Sequence, residues 1–380
     1  MMHKPAHDLI RKRFIVQHRQ DHHIYMNDQC YINFASNDYL NLSSHPRIKK
    51  ALIEGIQIYG TGSTSSPLIS GFFRSHHQLE EKFSEFLKRD RTLFFNSGYH
   101  VNIGIISSLI KRNDIIYADK LCHASLLDGI HLSHGKLKRY QHNNIQHLTQ
   151  LLNQNHGNMM IITESIFSME GDIAPINQIA KLAHIKQATL MVDDAHSIGI
   201  LGQNGGGICE HYSLTQKDIP ILVAPLGKAF ASQGAIVSGH TELIENLIQI
   251  ARTYRYSTAL PPAIAHSLLT TLDIIQKDNW RREKLHSLII FFIKEAKKRN
   301  LPLTSENITP IKSILIGNNQ AVMQIQEKLL QKGFYIACIR PPTVPQGTAR
   351  IRVSLSCSHN ENDINNLLDL ISKYHDKINK

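Results

Sequence analysis

The sequence predicts an α/β protein: a large, mostly parallel sheet covered by helices on both faces, with a smaller α+β region at its C-terminal end. Three observations predict this. Short apolar or β-branched runs alternate with helix-like stretches through the middle of the chain, the connections between them are short, and after about residue 280 the pattern changes to a long helix followed by antiparallel-like strands and helices. Strand–helix–strand repetition implies parallel neighbours, because each crossover helix must pack back on the sheet that its strands build.

The elements follow in order. The N-terminus predicts a helix at about 4–18 and a strand CYINFAS (30–36), both packing with the C-terminal region. The central strands are TLFFN (92–96), DIIYA (114–118), LKRYQ (137–141), NMMIITE (158–164), ATLMVDD (188–194) and PILVAP (220–225). Between them lie amphipathic segments such as 76–88, 100–110, 143–155 and 176–187. Beyond residue 280 come a helix over 281–300, SILIG (313–317), a helix near 319–332, FYIACI (334–339), RIRVSLS (350–356) and a last helix near 360–378. The expected organisation is an N-terminal piece (1–44) that joins the small domain, a large domain (45–280) and a small C-terminal domain (281–380). In a parallel sheet the functional residues gather beyond the carboxyl ends of the strands, and Glu164, Asp193, Asp194 and Lys228 hold such positions.

Composition excludes several classes. The 380 residues are 42% hydrophobic and 19% charged, as expected of a soluble globular protein able to bury a large core. The densest apolar run, LIIFFI (288–293), is far short of a membrane span. The basic N-terminus lacks a signal peptide's apolar stretch, so no secretory export is indicated. Five scattered cysteines without a CxxC argue for reduced thiols in a cytoplasm, and against a disulfide framework or a zinc site. The net charge of +11 is spread along the chain, with small clusters at Arg11-Lys12-Arg13 and Lys136–Arg139 but no basic block with interleaved aromatics. That distribution disfavours nucleic acid; it leaves an anionic small substrate or no charged partner at all. The histidine pairs His22-His23 and His76-His77 are adjacent, not on the i,i+4 face of a helical metal site.

One lysine points to chemistry. Lys228 stands in a Gly-Lys turn after an apolar strand, downstream of Asp193 and His196. A lysine so placed, with a carboxylate to hold a ring nitrogen, suits a carbonyl cofactor bound as an imine, namely pyridoxal 5'-phosphate. Its phosphate needs amide donors at a helix start, and Asn96-Ser97-Gly98-Tyr99 leads from a strand into a helix.

Ten stretches in order resemble the α-oxoamine synthases, a family of pyridoxal-phosphate enzymes of the aspartate-aminotransferase-like (fold type I) architecture, from about residue 10 to residue 375. They are FASNDYLNLSSHP (34–46), ISGFFRSHHQLE (69–80), LFFNSGYHVN (93–102), DKLCHASLLDG (119–129), HNN (142–144), TESIFSMEGDIAPI (163–176), VDDAHSIGILGQNGGG (192–207), GKAF (227–230), YSTALPPA (256–263) and IRPPTVPQGTARIRVSLS (339–356). IRPPTVPQGTARIR, HASLLDG and RREKL are most similar to members that condense L-alanine with a pimeloyl thioester on the way to biotin.

The resemblance implies roles, residue by residue. Lys228 would carry the cofactor and then act as base on alanine; Asp193, or its neighbour Asp194, would pair with the pyridine nitrogen; His196 would reach the phenolic oxygen and His123 would stack on the ring. Ser168 and Glu164 belong near the ring, Glu164 equally as a structural carboxylate behind it, Ser97 and Gly98 at the phosphate, Tyr99 at the ring or the phosphate, and Ser257 and Thr258 at a phosphate across a homodimer interface. Arg352, with Asn37, would clamp the alanine carboxylate, Arg350 being structural, while Arg11 and Thr343 would contact the acyl substrate. The acyl carrier is coenzyme A or a carrier protein.

Two stretches depart from the family. Pro225 stands where a phosphate-binding Thr or Ser is usual, and it offers neither hydroxyl nor amide hydrogen. The loop GTGSTSSPLISG (60–71) has Thr64, Ser65 and Pro67 where glycines or an arginine are usual. Open alternatives are members acting on glycine or serine with other acyl thioesters, an aminotransferase on the same fold, and a basic binding protein that has lost its cofactor.

Overall fold

The computed structural model describes Arg11 and residues 13–155 and 157–378. The chain divides into two compact units: one of residues 1–44, 168–172 and 280–380, the other of 45–167 and 173–279.

The smaller unit opens with an antiparallel meander, β1 (His18–Gln20), β2 (His23–Met26) and β3 (Gln29–Asn33). The helix expected over 4–18 is not seen in its described part: residues 13–17 carry no regular structure and His18 begins β1. The rest of that expected helix lies outside the described residues. Phe14, Ile15 and Val16 are a consecutive apolar run, all of them exposed, rather than one stripe of a helix.

The larger unit begins with α1 (Pro46–Tyr59) and α2 (Arg74–Leu87). The central alternation then follows: β4 (Arg91–Phe95), α3 (Gly98–Leu109), β5 (Ile115–Asp119), α4 (Ala124–Ser133), β6 (Lys136–Tyr140), α5 (Ile145–Asn153), β7 (Met159–Glu164), α6 (Ile176–Ile185) and β8 (Thr189–Asp193). After α7 (Gly207–Tyr212) come β9 (Ile221–Pro225), β10 (Ala235–Gly239), α8 (Thr241–Ile250), α9 (Arg252–Arg255) and α10 (Pro262–Lys277). Seven strands form one sheet in the order β4-β10-β9-β8-β7-β5-β6. Strands β9, β8, β7, β5 and β6 are mutually parallel, whereas β10 runs antiparallel to both β9 and β4. The sequence reading did not separate β10 from the loop before it. Its AIVSG run is short, and its direction depends on which strands it joins, which no local pattern encodes.

Strands β5, β9 and β10 are buried at every residue, which is why they read as continuous apolar runs rather than alternating ones. Their side chains pack with Val101, Ile105 and Ile106 of α3, Leu126 and Ile130 of α4, and Ile244 and Leu247 of α8 into one core. The register sets Glu164 beside Asp193 and Asp193 beside Val223, so the carboxyl ends of β7, β8 and β9 finish at one edge.

The smaller unit is completed by α11 (Asn279–Lys298), β11 (Ile311–Gly317), α12 (Asn319–Gln331), β12 (Phe334–Tyr335), β13 (Ala337–Ile339), β14 (Ala349–Ser354) and α13 (Glu361–Ile378). The expected single strand FYIACI is two. Phe334 and Tyr335 pair with β3, while 337–339 pair with β14, so the chain changes sheets at Ile336. Among the described residues no helix is long and apolar enough to cross a membrane.

Candidate active site

The carboxyl edge of the large sheet brings together the residues singled out around Lys228. Asp193 ends β8 and is 4% exposed. Its Oδ1 accepts from Ala195 N at 3.1 Å and its Oδ2 from Asn102 Nδ2 at 2.8 Å. The neighbouring Asp194 is turned elsewhere: its carboxylate takes the Ser197 hydroxyl and the Ile208 amide, and burial pushes it up to about 7. The two adjacent carboxylates thus have different partners, and Asp194 braces the glycine-rich turn that leads into α7.

Lys228 lies on the loop between β9 and β10. That loop is closed by backbone bonds from Leu226 N to Gly234 O at 2.9 Å and from Ser232 N to Leu226 O at 3.1 Å. The strands on both sides set the position of the loop. The lysine's charge is felt by two groups. Burial pushes the His123 imidazole below its ordinary value, Lys228 adds to the depression, and Asp193 opposes it. Glu164, fully buried, is raised well above the carboxylate range by desolvation and by Asp193, with Lys228 pulling the other way. Glu164 is also tied to His123 directly, its Oε1 accepting from His123 N at 2.6 Å.

His123 caps the N-terminus of α4, its side chain accepting from Ser125 N. His196 is 4% exposed in the turn after β8. At the next strand end, Ser97 caps α3 by accepting from His100 N at 3.2 Å. Gly98 is the first residue of that helix, and a Cβ there would stand 2.7 Å from Pro225 Cγ. The Pro225 ring therefore lies against the first residue of the helix, and only glycine fits beneath it. Tyr99 is 46% exposed and its hydroxyl donates to Asp128. Ser257 is half-buried and Thr258 exposed; the Thr258 carbonyl accepts from Asn96 Nδ2 at 2.7 Å, which ties this turn to the start of α3 within the chain.

The remaining candidates are carried by the smaller unit. Arg352, 5% exposed on β14, donates from Nε to Ser168 O at 2.6 Å and from Nη1 to Ser354 Oγ at 2.9 Å. Its two Nη atoms reach Asn37 Oδ1 at 3.3 and 3.2 Å, so the guanidinium is fixed by backbone and amide groups. Tyr39 donates to the same Oδ1 at 3.2 Å; burial pushes its phenol up to about 12, which keeps it a donor. Arg350 instead pairs with Glu170 at 2.8 Å and donates to Thr348 O. Arg11 donates to Thr343 Oγ1 at 2.9 Å, so two residues 332 apart in sequence meet at an exposed position.

Two residues were not singled out from the sequence: Asn102 and Ser125, each 1% exposed and joined by a bond of 2.9 Å. The available signal was an asparagine inside the otherwise apolar start of α3, VNIGII. Among the described residues no group of three or more His, Cys, Asp and Glu side chains could hold a metal ion.

The donor set fits pyridoxal 5'-phosphate: an amine, a buried carboxylate with both oxygens oriented by donors, an uncharged imidazole on a helix cap, and a helix N-terminus opened by Ser97 and Gly98.

Comparison with known proteins agrees with this geometry. Residues 30–371 match the model of the family described as aminotransferase class I and II. An 8-amino-7-oxononanoate synthase of Hahella chejuensis is 43% identical over 368 residues, which are 97% of this chain and 93% of that protein. One from Saccharophagus degradans is 45% identical over 343 residues, 90% of this chain and 86% of the other. The crystal structure of an 8-amino-7-oxononanoate synthase from Francisella tularensis superposes with a TM-score of 0.82 at 37% identity, covering 92% of this chain and 99% of that one. A serine palmitoyltransferase from S. paucimobilis shares the fold, with a TM-score of 0.93 at 24% identity over 97% of this chain and 93% of its own. With its lysine, carboxylate and histidine at one sheet edge and these matches along almost its whole length, the chain belongs to the aminotransferase class I and II family and, within it, to the α-oxoamine synthases, beside the 8-amino-7-oxononanoate synthases.

Proposed function

We propose that the chain catalyses the decarboxylative condensation of L-alanine with a pimeloyl thioester to give 8-amino-7-oxononanoate, with pyridoxal 5'-phosphate held on Lys228. What supports this reading is a sheet edge that carries Asp193, Glu164 and the His123 bound to it, with Lys228 on the loop that leaves the adjoining strand β9, in a chain 43% identical over 97% of its length to a synthase of that name.

When bound, the cofactor supplies an electron sink for the carbanion formed at the alanine Cα. Asp193 holds a negative charge against the ring nitrogen, with its carboxylate oriented by Asn102 and Ala195. His196 and Glu164 serve the ring from the same edge, Ser168 from the segment that also receives Arg352. Ser97, Gly98 and Tyr99 open the helix start that takes the phosphate. Arg352 and Asn37 hold the alanine carboxylate. Lys228, as a neutral amine, would remove the alanine Cα proton. His123 would polarise the thioester carbonyl while the new carbon–carbon bond forms and the carbon–sulfur bond breaks, the sulfur leaving as a thiolate that takes its proton from water. The Cα–carboxylate bond then breaks, carbon dioxide departs, and Lys228 returns a proton to that carbon. Arg11 and Thr343 contact the acyl chain, which arrives on coenzyme A or a carrier protein. The working unit is a homodimer in which Ser257 and Thr258 reach the partner copy's phosphate.

The test is a paired assay. L-alanine with a pimeloyl thioester, supplied both on coenzyme A and on an acyl carrier protein, gives the amino ketone and one carbon dioxide per turnover with at least one of the two carriers, whereas glycine with acetyl-CoA gives neither. Absence of product from the first pair overturns the proposal.

Pro225 makes a second expectation measurable. It withholds one donor from the phosphate, and a hydrogen bond to a charged group contributes about 1.5–3 kcal/mol. Pro225→Thr restores a hydroxyl, so titration of cofactor into the apoprotein gives a dissociation constant lower by about tenfold or more.

A further inference from the structure

A buried chain of hydrogen bonds joins Asp193 to His123 through Asn102 and Ser125. Asn102 Nδ2 donates to Asp193 Oδ2 at 2.8 Å and to Ser125 Oγ at 2.9 Å, and Ser125 Oγ lies 2.8 Å from His123 Nδ1. Both hydrogens of the amide are therefore engaged. Its orientation is fixed as well: turned over, it would set an amide oxygen against the Asp193 carboxylate. The other end of the amide is unusual. Among the described residues, the buried Asn102 Oδ1 has no hydrogen-bond partner. An orphaned acceptor is a cost that a core selected for packing alone avoids. The helices that carry the two residues approach closely, since a Cβ on Gly129 of α4 would stand 3.1 Å from Asn102 O of α3.

The far end of the chain determines a proton's place. Ser125 N is a backbone amide and can only donate; it reaches His123 Nδ1 at 3.2 Å. That longer bond favours a lone pair on Nδ1. The Ser125 hydroxyl, whose oxygen already receives Asn102, has its own hydrogen for the same nitrogen. The neutral ring is left with its proton on Nε2.

We infer that Asn102 and Ser125 are positioning residues: they orient the Asp193 carboxylate and hold His123 as the Nε2–H tautomer, so that His123 meets substrate as a hydrogen-bond donor and not as a base. The groups facing His123 are Asp193, Lys228 and Asp128, with Glu164 on its backbone amide. Burial and Lys228 keep the imidazole neutral near pH 7, the state in which a tautomer is defined. The catalytic consequence rests on the reaction proposed above; the tautomer does not.

The experiment is nitrogen-15 NMR of full-length holoenzyme labelled in its histidine rings, with the His123 signals identified as those lost in His123→Gln. The wild type gives an unprotonated Nδ1 and a protonated Nε2. Ser125→Ala leaves only the backbone amide on Nδ1 and shifts the population toward Nδ1–H, while Ser125→Thr keeps the hydroxyl and restores the wild-type pattern. Asn102→Leu, nearly the same shape, removes the orphaned oxygen together with the donor to Asp193; it weakens the tautomer preference and lowers kcat about tenfold with a smaller change in the KM for alanine. A wild-type His123 protonated at Nδ1 overturns the inference. So does a tautomer unchanged in both Ser125→Ala and Asn102→Leu. If the wild type shows Nε2–H but makes no amino ketone, the proposed reaction fails and the tautomer assignment stands.

Discussion

Lys228→Ala will abolish amino-ketone formation while leaving the fold intact. The loop that presents the lysine is closed by backbone hydrogen bonds at Leu226, Ser232 and Gly234, none of which the substitution touches. What is lost is chemical: the amine that holds the cofactor and the base that moves the alanine proton. Loss of a general base alone lowers turnover by about 10²–10⁴-fold, and loss of the covalent anchor adds to it. Purified Lys228→Ala will lack the visible absorbance of lysine-bound cofactor. A second signature is independent of turnover. In the cofactor-free protein, where Lys228 is a free ammonium that helps to depress His123, removing it lets the imidazole titrate closer to its ordinary value, with burial still holding it low. Steady-state assay, absorbance and a histidine pH titration check the three parts. A variant that retains wild-type turnover removes Lys228 from the mechanism.

Arg352→Lys will raise the KM for alanine far more than it lowers kcat. The guanidinium is spread over Ser168 O, Ser354 Oγ and Asn37 Oδ1, four contacts between 2.6 and 3.3 Å. A lysine ammonium is a point donor and cannot keep that fork. Breaking a buried, hydrogen-bonded charge contact costs about 2–5 kcal/mol, a rise in KM of roughly thirtyfold or more. Arg350 is the control on the same strand. It is committed to Glu170 and Thr348, so Arg350→Lys changes thermal stability and leaves the alanine KM near the wild-type value. Equal effects of the two substitutions on KM overturn the assignment of Arg352.

How much of this was legible depended on burial. Strands β5, β7, β8 and β9 were readable because a strand buried on both faces must be apolar at nearly every position, and such runs survive in the sequence whatever their partners. The long helices near 281–300 and 360–378 were readable from their extent and polarity, and α11 and α13 are found over Asn279–Lys298 and Glu361–Ile378. The run at 334–339 was misread as one strand because a β-rich hexapeptide carries no mark of where it leaves one sheet for another. The apolar run near Phe14 was misread as part of a helix for a related reason: hydrophobicity without a period does not fix a backbone.

The sequence by itself determined the chemical inventory: a lysine in a glycine turn after a strand, carboxylates at strand ends, a histidine before a helix, an arginine pair near the C-terminus, and the family motifs in order. Those are properties of residue type and spacing, which a linear chain displays directly. Only the tertiary structure decided how adjacent residues divide their tasks. It turned Asp194 to Ser197 and Ile208 while Asp193 took Asn102, and committed Arg350 to Glu170 while Arg352 took Asn37. It also set Pro225 against Gly98 and joined Asn102 to Ser125 across 23 positions of sequence. The physical reason is that a hydrogen bond depends on distance and direction between groups far apart in the chain, and those are set by strand register and helix packing, which no local spacing contains.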